Sequence, residues 1–167
     1  YITCDDQLMR TQSNGIVEGM RLVLRLFPNA KGVIAIEDNK PKAIEAMTHA
    51  CEGDANLSVL PVMAKYPEGG ERSLIGVVTG RQLRFGQLPA DLGCVVCNVS
   101  TLNAIYRAVC KTEPLMGRLF TVSGDAVANP HTLFVRIGTS CSELLEAAGG
   151  IKPGSEARKI LCGGPMM

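Results

Sequence analysis

The segment at residues 65–71, KYPEGGE, combines residue types that bind nucleotides. Glycines such as Gly69 and Gly70 let backbone N–H groups approach a ligand closely, and a helix start after them favours an anion such as a phosphate. Glu71 has two interpretations. Its carboxylate caps the first turn of the helix, or it accepts hydrogen bonds from ribose or ribityl hydroxyls or a nicotinamide amide. Because turn glycines are common, the residues alone leave both interpretations open.

Polar residues also follow two apolar runs, at residues 32–36 and 93–97. The candidates at these two positions are Glu37, Asp38, Asn98 and Thr101. Ligands in open α/β sheets bind beyond the carboxyl ends of the strands, where an acidic residue often holds nucleotide hydroxyls. The alternative is that Asp38 or Asn39 caps one helix and Asn98 caps another. Together with the glycine segment, three polar strand ends are expected to face one crevice.

Familiar catalytic and metal-binding signatures are absent from the sequence. It contains no G-x-G-x-x-G and no P-loop pattern, and two histidines, His49 and His131, give little material for a catalytic triad. Cys94 and Cys97 have the spacing of a zinc or redox pair. On a strand, however, residues three apart point to opposite faces, so we interpret them as core cysteines. No catalytic or metal-binding residue is predicted.

Composition restricts the class of protein. A hydrophobic content of 46% with 20% charged residues is typical of a globular chain. The 17 basic residues are scattered and the net charge is +1, so the sequence predicts no basic patch that would bind nucleic acid. No apolar run is long enough to cross a bilayer. The seven cysteines lie singly in apolar segments, which indicates a reducing, cytoplasmic environment. We therefore expect neither a nucleic-acid partner nor a direct membrane span.

Hydrophobic periodicity predicts alternating helices and strands up to about residue 114. The predicted helices cover residues 13–27, 41–53, 71–80 and 102–109, and the predicted buried strands cover residues 32–36, 57–63 and 93–97. Asn39 is expected to cap the second helix. This alternation predicts an α/β domain at residues 1–114, with a mostly parallel sheet covered by helices on both faces.

The alternation of predicted helices and strands ends near residue 114, so a domain boundary is expected there. Strands are predicted at residues 119–122, 133–137 and 159–162, with a short helix capped by Ser140 or Thr139 before the last strand. Residues 115–167 are therefore predicted to form a small α+β module with its own core.

Five segments, in the same order along the whole length, resemble the C subunit of the Rnf electron-transport complexes. They are YITCDD at 1–6, IEDNKP at 36–41, KYPEGGE at 65–71, LPAD at 88–91 and CGGPMM at 162–167. The wider family is similar to the flavin-carrying, NADH-oxidising subunit of respiratory complex I. The resemblance implies a Rossmann-like FMN- and NADH-binding domain at residues 1–114, without its N-terminal glycine-rich loop, followed by a β-grasp module of the SLBB type at residues 115–167.

The resemblance also implies which residues border the flavin. In the complex I relative, a Tyr-x-x-Gly-Glu-Glu stretch and an Asn-Asn-Val-Glu-Thr stretch line it. The residues that fall on these stretches are Tyr66, Gly69, Gly70 and Glu71, then Cys97, Asn98 and Thr101. Gly70 replaces a carboxylate and Cys97 replaces an amide. With Glu37 and Asp38, the matching residues are expected to form part of a site for FMN and NADH.

The implied function is electron entry into a membrane-associated, ion-translocating complex. The whole protein is expected to take hydride from NADH onto FMN and to pass electrons to 4Fe-4S clusters held downstream of Met167, so the isolated piece is expected to be inactive. Its partners would be the other subunits, and its location the cytoplasmic side of the inner membrane, peripherally bound. The alternatives are a non-catalytic docking or ligand-binding module, and a related cobalamin or proline reductase electron-transfer protein.

Overall fold

The computed structural model describes residues 2–67 and 69–163, and these fall into two compact units. The larger unit is Asp6–Pro114, and the smaller one combines the residues from Leu115 onward with residues 2–5. Both units contain helices, and each contains a pair of strands. The mixed α/β class predicted from the sequence is therefore confirmed at this coarse level. Of the five segments that carry the resemblance, those at 1–6, 65–71 and 162–167 each include at least one residue outside the described ranges.

Helices and strands alternate in the larger unit after two N-terminal helices. In chain order the elements are α1 (Cys4–Thr11), α2 (Ser13–Leu24), β1 (Gly32–Glu37), α3 (Pro41–Cys51), β2 (Leu57–Val62), α4 (Glu71–Thr79), a 3-10 turn (Pro89–Leu92) and α5 (Val99–Lys111). The predictions for α2 to α5 and for both strands are confirmed to within a few residues. α1 is absent from the sequence prediction because it buries only Leu8 and Met9, too few apolar positions to define a period.

β1 and β2 form a parallel pair, in register from Gly32 opposite Leu57 to Glu37 opposite Val62. α3 connects the two strands and packs on both, with Met47 completely buried in the core. Because parallel strands end at the same edge, Glu37 and Val62 lie side by side at the carboxyl edge of the sheet. This edge is where the predicted site residues of the first two strands meet.

The buried strand predicted at residues 93–97 is wrong. The segment belongs to no strand, Cys97 is exposed, and the Val95 side chain is 64% exposed. Within the described residues, no strand lies beside it to take up its backbone hydrogen bonds. A short apolar run shows that a segment can be buried, but it carries no information about a neighbouring strand. The described parallel sheet therefore has two strands.

α2 packs closely against α5 through two glycines. Gly15 and Gly19 are four residues apart, so they lie on the same face of α2. A Cβ atom at Gly19 would collide with the backbone carbonyl of Leu102, and one at Gly15 would collide with the side-chain oxygen of Asn103. Glycine at these positions therefore sets how closely the two helices approach.

Arg21 links the C-terminal half of α2 to the turn before β2. Its Nε donates to Asp54 Oδ2 at 2.9 Å, and its Nη1 donates to Glu18 Oε1 at 2.6 Å. The hydrogen bond from Arg21, helped by another from the backbone N–H of Asn56, lowers the pKa of Asp54 below its ordinary value. The carboxylate is thus stabilised in its charged form.

We expect Asp54→Asn to lower the free energy of unfolding near neutral pH, because the charge-assisted bond from Arg21 is lost. The pKa of Asp54 is lower in the folded chain. Its contribution is therefore complete above the unfolded-state pKa of about 4 and disappears as the pH falls through the folded-state pKa. Urea unfolding at about pH 7 and about pH 3 measures this, and the difference between parent and variant should shrink at the lower pH. An equal difference at both pH values contradicts the ion-pair explanation.

The smaller unit is built on an antiparallel hairpin followed by a short helix. Its elements are β3 (Gly117–Val122), β4 (His131–Arg136) and α6 (Cys141–Ala147). The first residues of the chain attach to the hairpin, since the backbone N–H groups of Thr3 and Cys4 both donate to Thr121 Oγ1, at 3.2 and 3.1 Å. Chain start and hairpin therefore belong to one compact unit.

The cap predicted for α6 is confirmed, and the last predicted strand is wrong. Ser140 Oγ accepts from the backbone N–H of Glu143 at 3.3 Å, and the Glu143 carboxylate accepts from the Ser140 N–H at 2.8 Å. The two bonds in this capping box are reciprocal, and the pKa of Glu143 is lowered by the hydrogen bonds that its carboxylate accepts from the N–H and the hydroxyl of Ser140. Residues 159–162 form no strand, and Ile160 is exposed. As at residues 93–97, the apolar run has no partner strand in the described part of the chain.

Candidate functional site

The glycine-rich segment forms the connection between the end of β2 and the start of α4. Gly70 is the N-cap residue of α4; its N–H donates to the carbonyl of Pro67 at 2.8 Å, and its own carbonyl accepts from Leu74 N at 2.9 Å. Glu71 is the first residue of the helix and is exposed, and Tyr66 is largely exposed too. Gly70 and Glu71 thus form the start of α4, and Tyr66 lies earlier in the same connection.

Glu71 does not act as a side-chain cap. No side-chain hydrogen bond caps the N-terminus of α4 in the described residues, and the Glu71 carboxylate is exposed in the first turn. Its charge still favours this position, since the N-terminal end of a helix is electropositive. A side chain placed here can accept hydrogen bonds from hydroxyl or amide groups of a ligand, while the helix N–H groups can donate to a phosphate.

Gly69 leaves open space beside the helix start. A Cβ built at Gly69 meets no atom within 4 Å among the described residues beyond its chain neighbours, whereas one at Gly70 would approach the carbonyl oxygen of Pro67 to 3.0 Å. A glycine with free space at a helix start gives a ligand direct access to the backbone. These features, with the oxygen acceptor of Glu71, fit the phosphate and ribityl hydroxyls of a flavin mononucleotide.

Asp38 connects the end of β1 to the chain that leads into this segment. Its Oδ1 accepts from the backbone N–H of Ala64 at 3.1 Å, and its own N–H donates to the carbonyl of Val62 at 2.8 Å. The prediction that Asp38 or Asn39 caps α3 is wrong. The N-cap residue is Lys40, without a side-chain cap, and Asn39 Oδ1 instead accepts from Lys40 Nζ at 2.8 Å. Asp38 therefore positions the exit of β2.

Glu37, the last residue of β1, is exposed at the same edge. Its Oε2 lies 3.7 Å from Lys40 Nζ, a long ion pair on the surface that contributes little to stability. The carboxylate is available to a ligand that reaches this edge. Glu37 and Asp38 thus share one edge with the end of β2, and Asp38 bonds to Ala64, the residue before the glycine segment.

Asn98 and Thr101 lie at the start of α5. Asn98 is its N-cap residue, and its Oδ1 accepts from the N–H of Ser100 at 2.8 Å and from its hydroxyl at 2.6 Å. The capping interpretation of Asn98 is therefore confirmed. Thr101 is half-buried, and its N–H donates to the Asn98 carbonyl at 3.0 Å. No strand forms before Asn98, so of the three expected strand ends only those of β1 and β2 are present in the described residues. α5 packs mainly on α2.

An open groove between α2 and α5 was not predicted from the sequence. Its lining includes Asn103, Tyr106 and Lys111, with the Lys111 ammonium 5.8 Å from the centre of the Tyr106 ring. Asn103 is buried and donates from Nδ2 to Gln12 Oε1 at 2.8 Å. The sequence offers no signal for this groove, because Gln12 and Asn103 are far apart along the chain and become neighbours only when the two helices pack.

The described residues contain neither a metal-binding cluster nor a membrane-spanning helix. No group of three His, Cys, Asp or Glu side chains in this part of the chain is arranged to hold a metal ion. None of the helices in this described part of the chain has the length and hydropathy needed to span a membrane.

Comparison with known proteins identifies the two parts of the chain. Residues 1–107 match the Nuo51 FMN-binding domain, and residues 119–167 match the SLBB domain. The whole chain is 44% identical to the C subunit of the proton-translocating ferredoxin:NAD(+) oxidoreductase complex of Clostridium ljungdahlii, covering 36% of that protein. It is 41% identical to the C subunit of the Na(+)-translocating ferredoxin:NAD(+) oxidoreductase complex of Acetobacterium woodii, covering 37% of it.

The C subunit of an ion-translocating oxidoreductase complex from Haemophilus influenzae is 41% identical over the whole chain, which covers 25% of it. The chain thus spans about a quarter to a third of the length of these relatives. The resemblance to the Rnf C subunits that the sequence segments predicted is confirmed. The chain belongs to the family of the Nuo51 FMN-binding domain, here followed by an SLBB domain.

Proposed function

We propose that the chain is part of an electron-transport subunit that accepts electrons from NADH through FMN and passes them to iron–sulfur clusters. Residues 1–114 would form a Rossmann-like FMN- and NADH-binding domain, and residues 115–167 a β-grasp module of the SLBB type. Support comes from the two domain matches and from relatives named as subunits of ferredoxin:NAD(+) oxidoreductase complexes. The 4Fe-4S clusters would be held by other parts of a longer protein.

The observation that carries this proposal is the arrangement at the carboxyl edge of β1 and β2. Asp38 bonds to the backbone of Ala64, which fixes the chain as it leaves β2. The glycine segment follows this exit and leads into α4, whose first residue is the exposed Glu71. Nucleotides bind at such strand ends because helix N–H groups and nearby carboxylates converge there.

Each predicted residue has a role that its chemistry permits. Gly69 and Gly70 would admit the FMN phosphate to the backbone of the helix start, and Glu71 would accept hydrogen bonds from ribityl hydroxyls. The remaining members of the proposed site, which would border the flavin ring and the nicotinamide nucleotide, are Glu37, Asp38, Tyr66, Asn98 and Thr101. FMN, when bound, would accept the two electrons of one hydride and release them one at a time. The chain binds and orients the nucleotides.

The proposed partners are the other subunits of a membrane-associated, ion-translocating complex, as the names of the relatives suggest. The proposed location is peripheral, on the cytoplasmic side of the inner membrane. The alternatives are a non-catalytic docking module and an electron-transfer protein of cobalamin or proline reductase. These differ in whether flavin is present and in which acceptor is reduced.

The first test uses the longer protein, purified without oxygen. We expect a flavin band in its visible spectrum, bleaching of that band when NADH is added, and then a decrease of the iron–sulfur absorbance. A protein with intact clusters but without flavin and without a response to NADH contradicts the proposal and favours the docking module.

Glu71→Ala tests the site itself. We expect it to weaken FMN binding by about tenfold or more, since a hydrogen bond to a charged group contributes about 1.5–3 kcal/mol. The measurement is flavin content, followed by titration of the apoprotein with FMN. Glu45→Ala, at an exposed position on α3, is the matched control and should bind FMN like the parent protein. Equal affinity of both variants contradicts the role of Glu71.

A further inference from the structure

Asp38 lies one residue beyond β1, and hydrogen bonds on both sides hold its backbone in place. Its N–H donates to the carbonyl of Val62 at 2.8 Å, which extends the parallel pair by one hydrogen bond beyond Glu37. The chain then turns at once, since the N–H of Lys40 donates to the carbonyl of Glu37 at 3.0 Å. The backbone of Asp38 is therefore fixed relative to the end of β2, and its short side chain reaches only the region just beyond that strand.

The Asp38 side chain bonds to the chain that leads away from β2. Its Oδ1 accepts from the N–H of Ala64, at 3.1 Å, directly before the glycine-rich segment at 65–71. Packing gives this stretch little support, because Met63 is 69% exposed and Tyr66 is 70% exposed. Within the described part of the chain, the bond from Ala64 to Asp38 is the hydrogen bond that ties residues 63–67 to the first strand.

The far end of the glycine segment is held by α4. The N–H of Gly70 donates to the carbonyl of Pro67 at 2.8 Å where the helix begins, and Ile75, one turn further on, is buried. α4 packs on β1, the strand that leads directly into Asp38. The supports at the two ends of the segment therefore both depend on β1 and the residue that follows it.

Holding this segment in place before a ligand arrives strengthens binding. A loop that is already ordered loses less conformational entropy when the ligand binds, and its N–H groups need no rearrangement. The proposed contacts to the FMN phosphate and ribityl hydroxyls involve Gly69, Gly70 and Glu71, which follow Ala64 closely in the chain. Release of the chain at Ala64 would leave the α4 end as the support of these residues.

We propose that Asp38 is a positioning residue of the nucleotide site, which acts through the backbone of Ala64 rather than by bonding to the nucleotide. The identity of the ligand as FMN rests on the proposed function, whereas the anchoring of the chain after β2 does not. The side chain supplies an oxygen acceptor at a fixed place, and its negative charge is not required. Asparagine keeps this acceptor in the same shape and can replace it, whereas alanine cannot.

The test is titration of the full-length apoprotein with FMN. We expect Asp38→Ala to weaken FMN binding roughly tenfold, and Asp38→Asn to bind within about twofold of the parent protein. A carboxylate that bonds to the nucleotide hydroxyls would instead lose affinity in both variants. Asp125→Ala is the matched control, because the exposed Asp125 accepts from the N–H of Ala126 at 3.0 Å in the smaller unit. Its affinity for FMN should equal that of the parent.

Hydrogen exchange of the same proteins without FMN measures the anchoring directly. In Asp38→Ala the peptide that contains residues 64–70 should exchange faster than in the parent and in Asp38→Asn, while the rest of the chain exchanges as in the parent. Parent-like FMN affinity of Asp38→Ala overturns the positioning role, and so does an equal loss of affinity in both Asp38 variants.

A different result separates this role from the proposed function. A full-length protein that binds no FMN contradicts the proposed function, and exchange then decides on the anchoring alone. Faster exchange at residues 64–70 in Asp38→Ala supports the role of Asp38 in that case, and exchange like that of the parent overturns it.

Discussion

Replacing Gly19 by alanine is expected to lower the free energy of unfolding of the larger unit by about 3 kcal/mol. In an isolated helix this substitution is favourable, because alanine has the higher helix propensity. Here the new Cβ would collide with the carbonyl of Leu102, which belongs to the backbone of α5 and has no rotamer to change. The two helices must separate, and the contacts between them are lost. Urea unfolding followed by far-UV circular dichroism measures the effect.

Two further alanine substitutions serve as internal standards. At Gly76 in α4 the nearest atom to a new Cβ is the carbonyl oxygen of Arg81 at 3.7 Å, an ordinary contact, so Gly76→Ala should stabilise by about 0.5–1 kcal/mol. At Gly15 the obstacle is the Asn103 side chain, which can move only by disturbing its bond to Gln12. The change in the free energy of unfolding for Gly15→Ala should therefore lie between the changes for Gly19→Ala and Gly76→Ala. Stabilisation by Gly19→Ala contradicts the close packing of α2 on α5.

This glycine pair shows which part of the fold could be predicted from the sequence. Local periodicity identified α2 and α5, because each helix needs only its own apolar face to be recognised. It did not show that Gly15 and Gly19 face α5. Glycine within a helix is unfavourable, and the compensation comes from a helix more than 80 residues away along the chain. Such information is tertiary and has no local signal.

The two wrong strands have the same explanation. Residues 93–97 and 159–162 have the composition of strands, but a strand forms only where another backbone supplies hydrogen bonds. β1 and β2 satisfy that condition for one another, because α3 returns the chain in parallel beside β1. Apolar runs of similar length thus have different structures, and the availability of a neighbour decides between them.

In the candidate site, the features that depend on neighbouring residues could be predicted from the sequence. The start of α4 at Glu71 and the capping role of Asn98 both depend on residues close in sequence, and both follow from residue type. The role of Asp38 was not predicted. Its partner, the N–H of Ala64, lies 26 residues away, so the bond exists only because β1 and β2 end side by side.

Gly69→Val is expected to reduce the affinity of the full-length protein for FMN about a hundredfold, or about 2.7 kcal/mol, while the fold is retained. In the described structure a Cβ at Gly69 has free space, so the added side chain should not disturb the chain itself. That same space is where the proposed ligand would approach the backbone before α4. The branched side chain would occupy it and block the N–H groups of the helix start.

The measurement pairs FMN titration of the apoprotein with thermal unfolding, so that loss of binding is separated from loss of structure. Gly69→Ala provides a graded control: its single methyl group should reduce affinity less than the valine side chain does, with unchanged thermal stability. Parent-like FMN affinity of Gly69→Val, in a protein that binds flavin, would mean that the ligand does not approach the backbone at residue 69. The flavin would then have to contact the chain elsewhere, and the assignment of Gly69 and Gly70 to the site would be wrong. A graded loss at constant stability, by contrast, is the result expected if the ligand fills the space that this glycine leaves open.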